Sequence, residues 1–178
     1  MLTTFVFSLE ERPENEIIYN MAHVCEVEND FYVIFSDRGG EFASPNAFTE
    51  FVKYIEDEGR YEIEIRSSVR KWPFQVFYFL IAHELGHVKF DHDRKRLELL
   101  RKGANEKELL EFRKKAEVAA DFFAGECLAK MFGCKLDEPT RTAFYFIYGT
   151  LSSQTSYKPM DTRIFITMLG ARRVCYDP

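Results

Sequence analysis

Residues 83–87 read His-Glu-Leu-Gly-His, two histidines four positions apart with a glutamate beside the first. Four residues advance a helix by ~400°, so His83 and His87 fall one above the other on one face, ~6 Å apart. Two imidazoles so placed can each give a nitrogen to one ion, and zinc takes such ligands at ~2.0–2.1 Å. Glu84 lies beside that face and cannot easily join the same ligand set. Its carboxylate can instead reach a water held by the metal, the position a general base needs. A catalytic zinc site takes a third protein ligand and keeps its fourth position open. In Glu117-Val118-Ala119-Ala120-Asp121, Glu117 and Asp121 share a helix face. Glu117 would complete the set. Asp121, one turn on, could accept the N–H of a ligand imidazole and fix its tautomer. The plain alternative is a pair of buried helix histidines satisfied by polar neighbours.

Such residues need helices to carry them. Phe74, Phe77, Tyr78, Ile81, Leu85 and Val88 recur at helical spacing behind Pro73, which predicts a buried helix holding His83-Glu84-Leu85-Gly86-His87. The reading extends it through Leu97, Leu99 and Leu100 to Gly103. Asn105 with Glu108 is a capping-box pattern and opens a helix running to about Gly133. Ala116, Ala119, Ala120 and Ala124 would let that helix approach the first closely. Asp137 caps an aromatic-rich third helix (Phe144, Tyr145, Phe146, Tyr148), and a last one spans roughly Pro159 to Ala171. In front, Thr4–Leu9, Phe31–Phe35 and Tyr61–Arg66 read as strands, with Met21–Glu28 as a further candidate. Ser44-Pro45 followed by Phe48, Phe51, Val52 and Ile55 predicts a helix ending at Gly59. The expected fold class is α+β: a small mixed or antiparallel N-terminal sheet and a helical body, in one domain over 1–178. Within it, 1–70 is mostly sheet plus one helix, 73–133 holds the zinc-site helices and 134–178 the C-terminal helices.

Composition sets bounds on function. The 178 residues are 46% hydrophobic and 16% aromatic, too rich in bulky apolar surface for general disorder. A net charge of −5 argues against a protein built mainly to bind nucleic acid. The longest apolar candidate, Phe74 to Ala82, is half the ~18 residues of a membrane span and contains Gln75. The start of the chain meets Glu10, Glu11 and Arg12 without a basic region before an apolar one, so no signal peptide is expected. Cys25, Cys127, Cys134 and Cys175 form no Cys-x-x-Cys pair and read as reduced thiols in a cytoplasmic protein.

The histidine motif with its downstream Glu117–Asp121 pair resembles the gluzincin metallopeptidases. It looks most like the minimal cytosolic ImmA/IrrE-type peptidases, and the run His83–His92 is also similar to the HtpX-type and CAAX-processing peptidases, whose membrane helices are missing here. The resemblance covers about 50 residues, Phe74 to Leu128. It implies a zincin-like fold, one Zn2+ per chain on His83, His87 and Glu117, Glu84 as catalytic base and Asp121 behind the ligands. Lys158-Pro159-Met160-Asp161-Thr162-Arg163-Ile164 weakly resembles a His-Pro-x-x-x-Arg-Ile element of related peptidases, with Lys158 in place of the histidine.

Several residues carry further expectations. Tyr157 and Arg163, with Tyr145 and Tyr148 behind them, are candidates to steady a tetrahedral oxyanion, which needs a donor ~3 Å away. His92 falls ~140° around a continuous helix from His87, so it reads as a polar helix-end residue or a substrate contact. His23 reads as an ordinary strand or core histidine. Tyr61–Arg66, as an edge strand, could pair with an extended substrate. Residues 94–115 hold nine Lys/Arg and four Glu, leaving −10 for the rest of the chain. That basic stretch suits a solvated helical hairpin, or a dock for an acidic partner or nucleic acid. The expected function is zinc-dependent hydrolysis of a peptide bond in an intracellular protein substrate, with no membrane partner. The alternative is a catalytically silent zinc module that binds a partner.

Overall fold

Tyr61, Ile63 and Ile65 alternate with Glu62 and Glu64, and the strand they form buries the first three and leaves the two glutamates half-buried. The computed structural model describes residues 13–36, 52–55, 60–66, 69, 72–135 and 159–176. In chain order these form α1 (Pro13–Val24), β1 (Phe31–Ser36), β2 (Val52–Ile55), β3 (Arg60–Arg66), α2 (Phe74–Lys89), α3 (His92–Arg101), α4 (Glu106–Phe132) and α5 (Met160–Tyr176). The architecture is α+β and mostly helical. The strands lie in the order β1-β3-β2, with β1 parallel to β3 (Val33 opposite Ile63) and β2 antiparallel to it (Tyr54 opposite Tyr61). Across the parallel pair, Tyr32 Oη donates to Glu62 at 2.6 Å.

The Tyr61–Arg66 strand is therefore central, paired with β1 along its length and with β2 over Arg60–Ile63, and the edge-strand expectation is wrong. A substrate cannot add to a strand whose N–H and C=O groups already face neighbours. Val52–Ile55 also differs: the apolar spacing there predicted a helix, and the segment is a strand. β-branched Val52 and Ile55 with Tyr54 suit a strand, and the open side of β3 offers the pairing that a local reading cannot see. Met21 lies in α1 rather than in a strand. Ile18, Met21, Ala22 and Cys25 recur at helical spacing, and all four are buried. His23 sits on the other side of α1, exposed. The expected strand at Thr4–Leu9, the helix start at Ser44-Pro45 and the helix opened by Asp137 lie outside the described residues.

α2 is buried from Val76 through Gly86 and again at Val88, as its all-round apolar sequence demands. It does not continue to Gly103. Asp91 adopts a left-handed conformation (φ 58°, ψ 37°), ends the helix and lets α3 start in a new direction. α4 opens with both halves of the capping box: Glu108 N–H donates to Asn105 Oδ1 at 3.1 Å, and Asn105 N–H to Glu108 Oε2 at 2.8 Å. It ends at Gly133, as expected. α5 runs five residues beyond the expected end at Ala171, to Tyr176.

Small residues bring the helices together. Ala116, Ala120 and Ala124 are buried, and a Cβ on Gly86 would stand 3.0 Å from the Ala120 Cα. Ala119 faces elsewhere, beside Phe90, Val118 and Phe122 in a surface groove. α4 and α5 cross backbone to backbone: a Cβ on Gly125 would collide with the Thr167 carbonyl, and one on Gly170 with the Phe122 carbonyl. That crossing sets how near α5 comes to the glutamate face of α4.

The cysteines are not free thiols, contrary to the sequence reading. Cys25 bonds to Cys127 and Cys134 to Cys175, with Cα atoms 5.2 and 5.9 Å apart. The pairs are 102 and 41 residues apart in sequence, so spacing gives no local sign of them. Paired cysteines persist in oxidising surroundings. The inference of a reducing compartment, which rested on free thiols, therefore falls. Among the described residues, no helix is long and apolar enough to cross a membrane.

Candidate metal centre

The helical spacing of α2 places His83 and His87 on the face it turns to α4. Their Nε2 atoms stand 3.2 Å apart. Glu117, from α4, brings Oε2 to 3.4 Å from His83 Nε2 and Oε1 to 3.9 Å from His87 Nε2. One donor atom from each of the three residues lies within 4.8 Å of the other two, an arrangement able to hold a metal ion. His83 is buried, and His87 and Glu117 are mostly covered, with side chains 15% and 13% exposed.

Each imidazole has its other nitrogen engaged. His83 Nδ1 lies 3.0 Å from Asp121 Oδ1, a close ionic contact set off the ideal N–H line. His87 Nδ1 lies 3.0 Å from His92 Nδ1. Asp121 is as expected one turn beyond Glu117 and beside a candidate ligand. His92 does stand at a helix end, as the first residue of α3, but it is not turned ~140° away from His87. The turn at Asp91 folds it back, and it is buried against the site.

Arg163 reaches the cluster from α5, and its guanidinium is committed. Its Nε and Nη2 donate to the two oxygens of Asp121, both at 2.6 Å, and Nη2 is 3.9 Å from Glu117 Oε2. This bidentate fork is the strongest form of such a pair. It places Arg163 behind the candidate ligands, where it holds Asp121. Sequence reading missed this role because Asp121 and Arg163 are 42 residues apart, and that of His92 because it assumed an unbroken helix through Asp91. Tyr157, Tyr145 and Tyr148 lie outside the described residues.

The electrostatics follow from burial and these contacts. Burial pulls the His83 imidazole down, but the carboxylates of Asp121 and Glu117 beside it outweigh that, so His83 keeps a proton well above the ordinary histidine range. Burial and the nearby His83 charge push His87 down, so it stays neutral. Two nitrogens 3.2 Å apart cannot both carry protons, and one positive charge between them satisfies the cluster. Burial likewise lowers His92 to about 4, with Lys95 adding to the effect. Burial alone would raise Asp121, yet the Arg163 guanidinium and His83 hold its carboxyl below the usual carboxylate range.

Glu84 is buried, with 6% of its surface exposed, and makes no hydrogen bond or ion pair among the described residues. Burial pushes its carboxyl up to about 8, with the His83 charge opposing and Glu117 and Asp93 reinforcing. A buried carboxyl without a partner costs stability, and a value near neutrality suits proton transfer.

The basic segment forms the hairpin expected of it, α3 and the start of α4 around Gly103 (φ 79°). Its nine cationic side chains are exposed except Lys114, which is half-buried and ion-paired with Glu111 at 3.1 Å. Compared with known protein families, curated proteins and solved structures, the chain matches none, so what this centre can do is argued from its own geometry.

Proposed function

We propose that this chain is a zinc-dependent endopeptidase of the gluzincin type, hydrolysing a peptide bond in a protein substrate. One observation carries the reading. Two imidazole Nε2 atoms and a carboxylate converge, with a polar atom 3.0 Å from each distal ring nitrogen, beside a buried glutamate that has no partner among the described residues. Ligand atoms ~2.0–2.1 Å from a tetrahedral ion stand ~3.3 Å apart. The separations here are 3.2, 3.4 and 3.9 Å, so His83, His87 and Glu117 fit zinc with little rearrangement. Among the described residues the set is two nitrogens and one carboxylate oxygen, which is the donor set of catalytic rather than structural zinc.

Zinc, when bound, supplies Lewis-acid activation of a water and of the scissile carbonyl. The chain's own residues do the rest. Glu84 accepts a proton from the attacking water on a carboxylate oxygen and delivers it to the leaving amine nitrogen. A dication on the neighbouring ligands would draw the Glu84 carboxyl down from about 8 and keep it ionised as a base. Asp121 and Arg163 hold His83 in place from behind, and the low polarity of α2 keeps the proton transfer out of bulk water.

Zinc content per chain, measured by plasma mass spectrometry on untagged protein purified without chelator, is expected to be about one. Glu117→Ala should lose it. Glu84→Gln should keep it, and turnover of any peptide that the wild type cleaves should fall ~10²–10⁴-fold. A wild type that takes up no zinc at neutral pH sinks the proposal. So does a Glu84→Gln variant that cleaves as fast as the wild type.

A further inference from the structure

We propose that His92 is the positioning residue for His87. It accepts a hydrogen bond from His87 Nδ1–H and so leaves the His87 Nε2 lone pair facing the metal. The inference rests on the metal-site reading above and adds a residue and a route of support to it.

Helical continuation would have carried His92 away from the site. Instead, the left-handed turn at Asp91 brings the two rings to a centroid separation of 4.9 Å and the Nδ1 atoms to 3.0 Å. At that distance one proton lies between the two nitrogens, and the donor decides the chemistry of the other ring edge. If His92 donates, a neutral His87 carries its own proton on Nε2, aimed at His83 Nε2 3.2 Å away, and offers no lone pair there. If His87 donates, its Nε2 is free to ligate. Only the second arrangement serves a metal. Asp121 stands in the same relation to His83, so each candidate ligand histidine has an acceptor behind it, one from α4 and one from the start of α3.

The place of His92 is set from the sheet. Asp91 is one of the two non-glycine residues with positive φ among the described residues. Its carboxylate does not cap α3. Tyr61 Oη, from the central strand β3, donates to Asp91 Oδ1 at 2.6 Å, and Arg94 pairs with Oδ2. Asn29 Nδ2 donates to the Val88 carbonyl at 2.5 Å and lies 3.4 Å from Asp91 Oδ1. The His92 ring itself is buried, with Phe90 and Phe112 at centroid distances of 5.7 and 6.2 Å. Turn, ring and ligand are thus linked: Tyr61 and Asn29 hold Asp91, the Asp91 turn aims His92, and His92 orients His87.

The test is zinc affinity of the full chain by competition with a chromophoric chelator, together with the visible spectrum of the cobalt-substituted protein. His92→Phe fills the same space without an acceptor and should weaken zinc ~10–100-fold and shift the cobalt bands. His92→Asn restores an acceptor near the Nδ1 position and should recover both. Tyr61→Phe, which alters no residue at the site and loosens only the Asp91 turn, should weaken zinc by less than His92→Phe does, and it carries the test if His92→Phe does not fold. Nitrogen-15 NMR of the zinc-loaded wild type should find the His87 proton on Nδ1. Wild-type affinity and cobalt bands in His92→Phe, or in Tyr61→Phe where that variant carries the test, would overturn the inference while the zinc reading stands. A wild type that binds no zinc would remove both.

Discussion

Arg163→Met is expected to cost about 3–5 kcal/mol of folding stability, because it takes the bidentate guanidinium from the buried Asp121 carboxylate and leaves it only the His83 imidazole. Asp121 is 1% exposed and Arg163 15%, and the two share two hydrogen bonds of 2.6 Å, so solvent can replace little of what is lost. Chemical denaturation of both proteins at neutral pH measures the difference. A double variant separates packing from function. Arg163→Met combined with Asp121→Leu removes both charges together, and exchanging a buried ion pair for apolar side chains is often neutral or stabilising. Stability should therefore return toward that of the wild type. Metal affinity should not, since His83 then lacks the acceptor at 3.0 Å from its Nδ1, and a loss of ~10–100-fold is expected. If Arg163→Met unfolds at the wild-type midpoint, the fork is not a supporting contact. If the double variant binds zinc as the wild type does, Asp121 does not orient His83.

Opening the disulfides should have an effect of similar size. In the chain-entropy account a cross-link stabilises by restricting the unfolded chain, by ~4.7 kcal/mol for a loop near 100 residues and about 4 kcal/mol for one near 40. The two bridges close spans of 102 and 41 residues. Cys25→Ala/Cys127→Ala should then lower the melting midpoint by ~10–15 °C, and Cys134→Ser/Cys175→Ser by slightly less. Access should order their reduction: Cys134 is exposed, whereas Cys25 and Cys127 are 1% and 0% exposed, so mild reductant should open Cys134–Cys175 first. The consequence reaches the metal centre, because the bridges tie α4, which carries Glu117 and Asp121, to the end of α1 and to α5, which carries Arg163. Thiol titration of unreduced protein in denaturant is the check, and four free thiols per chain would refute the pairing.

What the sequence by itself determined is the chemistry confined to one or two turns of helix. His83 and His87 had to share a helical face, with Glu84 beside it, once the apolar run from Phe74 was read as a helix, and the Asn105–Glu108 box located the start of α4. Glu117 and Asp121 were legible together for the same reason, their spacing of four. These features depend on neighbours within a few residues, and backbone geometry alone relates such neighbours. Tertiary structure decided everything that spans longer separations. Val52–Ile55 became a strand because β3 had an open side, and Tyr61–Arg66 became the central strand once both neighbours had paired with it. Arg163 meets Asp121 because glycines 125 and 170 let α4 and α5 touch. His92 meets His87 because Tyr61, thirty residues before Asp91, holds a left-handed turn. The cysteines pair across helices whose approach no local pattern records. Local sequence selects the donors, and only packing between distant segments decides what stands behind them, because those contact energies belong to pairs of surfaces rather than to either segment alone.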